Sequence, residues 1–163
     1  YNPVPEMTFS LAAGMNWKGF DFSILLQGAA RSSIYLQQDI AWDNFWGNYY
    51  EEHIGRWTPE TAATATYPRF TKAATAAHPN YYKSDYWLKD SKYLRLKNIQ
   101  LGYTIPRKLL KKFGVRSLRV YANAYNLFTW DNVKKVDPES SNNSNGQFYP
   151  QQKVINFGIN LNF

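Results

Sequence analysis

Cysteine is absent from the 163 residues, methionine occurs twice, and charged side chains make up only 19% of the chain. Without cysteine there is no disulfide scaffold and no thiolate metal site. Long apolar runs are also lacking. The longest uninterrupted aliphatic stretch is Ile24-Leu25-Leu26, against the roughly 20 apolar residues that a membrane helix requires. Mean hydropathy is −0.55, so insertion as a membrane helix is excluded. Tyr1 opens into a polar, proline-containing stretch with no basic n-region or apolar h-region, from which we expect a segment of something longer. Aromatic residues, by contrast, reach 18%, with 13 Tyr and 6 Trp. Such residues concentrate in the interfacial girdles of barrels or on carbohydrate- and peptide-binding surfaces.

The residues from Ile155 to Phe163 alternate without a break. Ile155, Phe157, Ile159, Leu161 and Phe163 fall on one face of a strand; Asn156, Gly158, Asn160 and Asn162 fall on the other. A strand in a soluble core seldom lines its second face with asparagine. A transmembrane barrel strand needs apolar residues toward lipid and polar ones toward a wet lumen.

The same alternation recurs at Met7 to Met15 and at Phe20 to Leu26, joined by a tight turn at Asn16-Trp17-Lys18-Gly19. It returns at Tyr93–Ile105, where Ile99, Leu101, Tyr103 and Ile105 share a face, and again at Leu118–Trp130. Between them, residues 29–86 read as one long excursion without period-two order, and 131–152 as a solvated loop around Asn142-Asn143-Ser144-Asn145-Gly146. The connector 107–117 is short and basic, and reads as one helical turn with Leu109, Leu110 and Phe113 packed inward, closed by Gly114. The expected organisation is therefore a hairpin at 7–28, a long loop at 29–86, strands at 87–106 and 118–130 around the turn 107–117, a loop at 131–152 and a terminal strand at 153–163. Strands of about 9 to 12 residues suit a tilted bilayer crossing. Alternating short and long connections match barrels that keep short turns on the periplasmic side and long loops outside.

Several linked motifs carry a resemblance. They are Trp87-Leu88-Lys89-Asp90-Ser91, Tyr93-Leu94-Arg95-Leu96-Lys97-Asn98-Ile99, Leu101-Gly102-Tyr103-Thr104-Ile105-Pro106, Leu118-Arg119-Val120-Tyr121, Asn126-Leu127-Phe128, Asp137-Pro138-Glu139, Tyr149-Pro150 and the closing Phe157 to Phe163. Arg56-Trp57-Thr58-Pro59-Glu60 and Tyr67-Pro68-Arg69 belong with them. In this order and spacing the chain resembles the C-terminal end of SusC/RagA-type TonB-dependent outer-membrane transporters. It departs at Thr61, where the family often has Asn, and at Lys153, where it often has Arg.

The resemblance implies an all-β fold: the last five antiparallel strands of a large transmembrane β-barrel of about 22 strands, with long extracellular loops and a plugged lumen. It implies a bacterial outer-membrane location and import of glycan or peptide cargo. The implied partners are the remainder of the barrel and its plug, a SusD-like surface lipoprotein acting as lid, TonB and the lipid bilayer. It implies no cofactor. The alternative from composition is a soluble, aromatic-rich β-sandwich that binds carbohydrate. A porin-like structural role ranks third.

The loop aromatics Trp42, Phe45, Trp46, Tyr49, Tyr50 and Trp57 are candidates for contact with cargo or lid, since flat rigid side chains stack at low entropic cost. Their bland reading is the small core that so long a loop needs. His53 and His78 have no ligand-spaced partner and read as solvated loop residues, not zinc ligands. Asp137-Pro138-Glu139 offers oxygen ligands but lacks the spacing of a calcium loop, and reads as a turn. No Ser/His/Asp set or phosphate loop stands out, so no enzyme is expected. Arg107, Lys108, Lys111, Lys112 and Arg116 are read beside lipid headgroups, not nucleic acid, with Trp17 and Tyr103 at the same rim. Phe157, Ile159, Leu161 and Phe163 resemble the signal that outer-membrane assembly machinery reads from a terminal strand.

Overall fold

The computed structural model describes residues 2–38, 41–43, 49–71, 78–134, 136–140 and 149–163. Its main body is one antiparallel sheet in which five long strands are laid side by side in chain order. These are β1 (Met7–Trp17), β2 (Phe20–Ala30), β5 (Tyr93–Thr104), β6 (Ser117–Asp131) and β7 (Val154–Asn162). An 11-residue strand is roughly 36 Å long and, tilted by about 45°, rises by about 25 Å, the height of a barrel's apolar band.

Register turns the alternation of each strand into a two-faced wall. The pairs place Met15, Phe22, Leu101, Ala122 and Phe157 in one row across the sheet, and Ala13, Ile24, Ile99, Ala124 and Ile155 in the next. Aromatic rows bound this aliphatic middle. Trp17, Phe20 and Tyr103 lie at the short-turn end, with the Phe20 and Tyr103 rings 4.5 Å apart. Phe9, Gly28, Leu94 and Trp130 form a row at the long-loop end, the Phe9 ring lying over Gly28. Nothing among the described residues covers this face: Phe157 is 82% exposed, and Leu11, Met15, Leu101 and Ile159 are likewise open. A soluble sandwich would pack a second sheet here. The sheet is a single layer, which removes the sandwich reading.

The turns are local in origin. Lys18 (φ 46) and Gly19 (φ 89) both take positive φ in the two-residue loop between β1 and β2, the geometry whose twist matches a hairpin. Gly114 (φ 69) ends the helical part of the β5–β6 connection in the left-handed conformation.

Two details differ from the sequence reading. The segment expected as one strand over 87–106 is divided: Trp87 ends a 3₁₀ turn, and β4 (Leu88–Asp90) pairs with β3 (Ser33–Tyr35) in a separate two-stranded sheet. The strand of the main sheet starts only at Tyr93. That small sheet also gives the 29–86 excursion an ordered base. In the turn after β5, α1 (Arg107–Leu110) buries Leu110 alone, while Leu109 and Phe113 are open to the surroundings. The Asn142–Gly146 stretch lies outside the described residues.

Candidate functional site

Polar side chains on the sheet's second face are tied into a ladder that crosses strands. Asp21 on β2 and Arg119 on β6 form an ion pair over β5, Arg119 Nε donating to Asp21 Oδ1 at 2.9 Å. Gly102 lies beneath them, and a Cβ there would stand 2.5 Å from both Arg119 Nη2 and Asp21 Oδ1. Glycine is therefore what lets the pair close across an intervening strand. The Arg119 guanidinium also sits 4.8 Å from the Tyr121 ring centroid, and that ring covers Gly158 of β7. Further along, Asn156 Nδ2 donates to Asn123 Oδ1 at 2.9 Å and Asn162 Nδ2 to Ser117 Oγ at 2.7 Å.

A bulge decides what reaches this face at the long-loop end. Pairing of β2 with β5 slips between Leu25 and Leu26, leaving Lys97 as an extra residue. Ile99, Leu101 and Tyr103 hold the apolar face on odd positions, whereas Leu96 and Leu94 hold it on even ones. The slip puts Tyr93 and Arg95 on the polar side. On β6 the irregularity is taken up at Asn126, which adopts φ 51 and donates from Nδ2 to Gln152 O at 3.1 Å. Asparagine tolerates that backbone conformation better than most residues, which accounts for the Asn of the Asn126-Leu127-Phe128 motif.

Arg95 is only 2% exposed. Its Nη2 donates to both oxygens of Asp137, at 2.8 and 2.9 Å, its Nη1 to Glu139 Oε2 at 3.1 Å, and its Nε to Thr129 Oγ1 at 3.0 Å. Tyr93 Oη donates to Glu139 Oε1 at 2.6 Å, and Lys97 Nζ lies 3.8 Å from Glu139. Asp137-Pro138-Glu139 is a turn, as expected, and also a clamp that ties the β6–β7 loop to the wall. Burial raises the Asp137 pKa, but hydrogen bonds from Glu139 N–H and from Arg95 outweigh it and hold the carboxyl below its usual value. Beside the clamp a cleft of about 360 Å³ opens between Pro3–Pro5, Ser32–Ile34 and Pro138–Ser140.

The long loop packs a core of Ile34, Leu36, Ala41, Trp42, Tyr67 and Tyr81, which Trp87 and, from the β6–β7 loop, Val133 complete. Its polar centre is Asp43, 1% exposed, whose carboxylate accepts from Tyr81 Oη and from Thr71 N–H at 3.1 Å. Tyr67 Oη donates to Ala41 O at 2.8 Å. Burial, then the negative Asp43 carboxylate, pushes the Tyr67 phenol well above its usual range; burial and the hydrogen bond to Asp43 do the same for Tyr81. His53 contradicts its reading as a solvated residue: it is 2% exposed, ringed by Tyr49, Tyr50, Tyr67 and Phe70. Its Nδ1 accepts from Tyr50 N–H at 3.0 Å, leaving the Nε2 proton for Ala41 O at 3.3 Å. His78 is half-buried, and its Nδ1 accepts from Asn80 N–H at 3.2 Å. Thr61 does local work where the related motif often has Asn, its Oγ1 donating to Arg56 O at 2.9 Å and accepting from Thr58 N–H at 2.8 Å.

Of the aromatics singled out from sequence, Trp42 is 5% exposed and stacks on Tyr81 at 4.6 Å, inside the loop core. Tyr49, Tyr50 and Trp57 are exposed on that core's outside. Phe45 and Trp46 lie outside the described residues. On β7, Phe157, Ile159 and Leu161 share the uncovered apolar face, and Phe163 follows the strand, 75% exposed.

Comparison with known proteins covers the whole chain. No family model matches it. TonB-dependent receptor P26 of Formosa agariphila is 28% identical over 179 residues, covering 99% of this chain and 17% of the relative. TonB-dependent receptor SusC of Bacteroides thetaiotaomicron is 26% identical over 163 residues, covering 99% of this chain and 15% of the relative. The RagAB peptide importer in its open-open state superposes with a TM-score of 0.75 at 24% identity, over 98% of this chain and 17% of that one.

Over nearly its full length the chain is similar to a barrel segment of TonB-dependent receptors of the SusC and RagA type. It spans 15–17% of the length of the relatives it matches. An uncovered apolar face backed by a laddered polar one is the arrangement that the lipid side and the lumen side of an outer-membrane barrel require. No described helix is long and apolar enough to cross a membrane.

Proposed function

We propose that this chain forms part of the wall and mouth of an active importer that draws glycans or peptides across the outer membrane. Energy would arrive through TonB, and a SusD-like lipoprotein would close the mouth as a lid. The observation that carries this reading is the two-faced, single-layer wall: aliphatic rows between aromatic girdles outside, a cross-strand polar ladder inside. The connections support an orientation. The Lys18-Gly19 turn and the connection after β5 are short, and the loop cores stand at the other end of the strands. In a barrel of this kind the short turns face the periplasm and the loops face outward.

In this orientation Tyr49, Tyr50 and Trp57 stand outside the loop core and meet cargo or lid, while Trp42 and His53 support them from within. Transport, not catalysis, is the role of this site. The test uses the complete transporter carrying Tyr49→Ala, Tyr50→Ala and Trp57→Ala together. Uptake of fluorescent oligosaccharides or oligopeptides should fall at least tenfold while the surface level stays unchanged. Full uptake with the lipoprotein still co-purifying would remove these aromatics from both roles.

A further inference from the structure

Sequence pattern alone packs Leu109 and Phe113 inward beneath a helical turn. The structure turns both outward: they are 66% and 75% exposed, and only Leu110 anchors the connection. Arg107, Lys108, Lys111, Lys112 and Arg116 surround them, all exposed, and none joins an ion pair among the described residues. Residues 105–117 contain no acidic side chain. Two open apolar side chains set in unopposed positive charge are costly beside water and favourable at a negatively charged apolar boundary.

The position of the turn supplies that boundary. It follows the end of β5 at Thr104, next to Tyr103 of the aromatic row that ends the apolar face, and Ile105 N–H still bonds Leu118 O at 2.9 Å. The neighbouring hairpin turn is held against it by Thr104 N–H on Gly19 O at 2.7 Å, and adds Lys18, whose ammonium sits 4.9 Å over the Trp17 ring. Basic and exposed apolar groups thus stand together at the end of the sheet that carries the Trp17, Phe20 and Tyr103 row.

We propose that the β5–β6 turn is a membrane-surface anchor that binds anionic phospholipid headgroups. Leu109 and Phe113 enter the headgroup and upper acyl region, and Lys108, Lys111 and Lys112 bind lipid phosphates. Each such lysine strengthens attachment to an anionic surface by roughly fivefold. The inference rests on the outer-membrane barrel and on the orientation proposed above, in which this end faces the phospholipid leaflet.

The test is made on the complete, detergent-purified transporter. It is offered phosphatidylglycerol or phosphatidylcholine at equal concentration, and retained lipid is counted by native mass spectrometry. Wild type should retain phosphatidylglycerol preferentially. The triple variant Lys108→Gln, Lys111→Gln, Lys112→Gln should lose that preference by at least tenfold, and Leu109→Ser with Phe113→Ser should lower retention of both lipids. Heat-modifiable gel migration reports the folded barrel in each sample. A folded wild-type barrel that retains the two lipids equally, or a triple variant with undiminished preference, overturns the anchor alone. A protein with no detergent-requiring barrel overturns the anchor and the transporter reading together.

Discussion

Arg95 ties three segments of the chain together through one side chain. Its guanidinium is buried and divides its donors among Asp137, Glu139 and Thr129. Removing one partner from a buried ion pair leaves the other charge uncompensated, at roughly 3–5 kcal/mol. We expect Arg95→Ala in the complete transporter to free the loop at 131–152, read as new protease cleavage there on intact cells. Acid should act in the same direction. Because the folded Asp137 carboxyl lies below its usual value, its contribution is present above the unfolded pKa of about 3.9 and is lost as pH falls through the lower folded value. Wild type should therefore resist cleavage at neutral pH and become susceptible only in strong acid, whereas the variant is cut throughout. None of this was legible from Arg95 itself. The Tyr93-Leu94-Arg95 and Asp137-Pro138-Glu139 motifs were visible, but their meeting depends on the β6–β7 loop folding back onto a strand more than forty residues earlier in the chain.

The element scale is governed by the bulge at Lys97. A strand has period two, so one extra residue exchanges the faces of everything beyond it. Deleting Lys97 should return Arg95 to the lipid side, at roughly 2–4 kcal/mol for an arginine near mid-membrane and less toward the rim, and should break the clamp as well. Lys97→Ala keeps the residue count and the phase. The deletion should abolish the heat-modifiable folded band in outer-membrane fractions, and the alanine variant should retain it; equal assembly of the two would refute the phase argument. A signal for this bulge did exist in the sequence. Leu94 and Leu96 are even-numbered, whereas Ile99, Leu101 and Tyr103 are odd-numbered, a parity break that marks an inserted residue. By contrast, the exposure of Leu109 and Phe113 had no such mark, since a four-residue helix is too short for its face to be read.

For the molecule as a whole, the sheet is a sector with two strand edges and a lipid face uncovered along its length. Both features are aggregation hazards in water. Expressed alone without detergent, residues 1–163 should sediment as aggregate, and a soluble compact monomer would contradict the barrel assignment. Within the complete protein, the apolar alternation of β7 ending in Phe163 should matter for assembly. Deleting Phe163 should lower the outer-membrane level of the transporter more than the uptake per assembled molecule; unchanged levels with lost uptake would overturn that role.

The wall is a strand-local property: period-two alternation follows from strand geometry, so its apolar and polar faces can be read from the residues of each strand. The Lys18-Gly19 turn and the left-handed stop at Gly114 were local in the same way. Long-range pairing set the rest. It chose the register that lets Asp21 and Arg119 meet over Gly102, closed the Arg95 clamp, and buried His53 and Trp42 while leaving Tyr49 and Trp57 outside. Those outcomes depend on pairings between distant segments, and a long aromatic-rich loop can hide or expose the same side chain with no change in its local pattern.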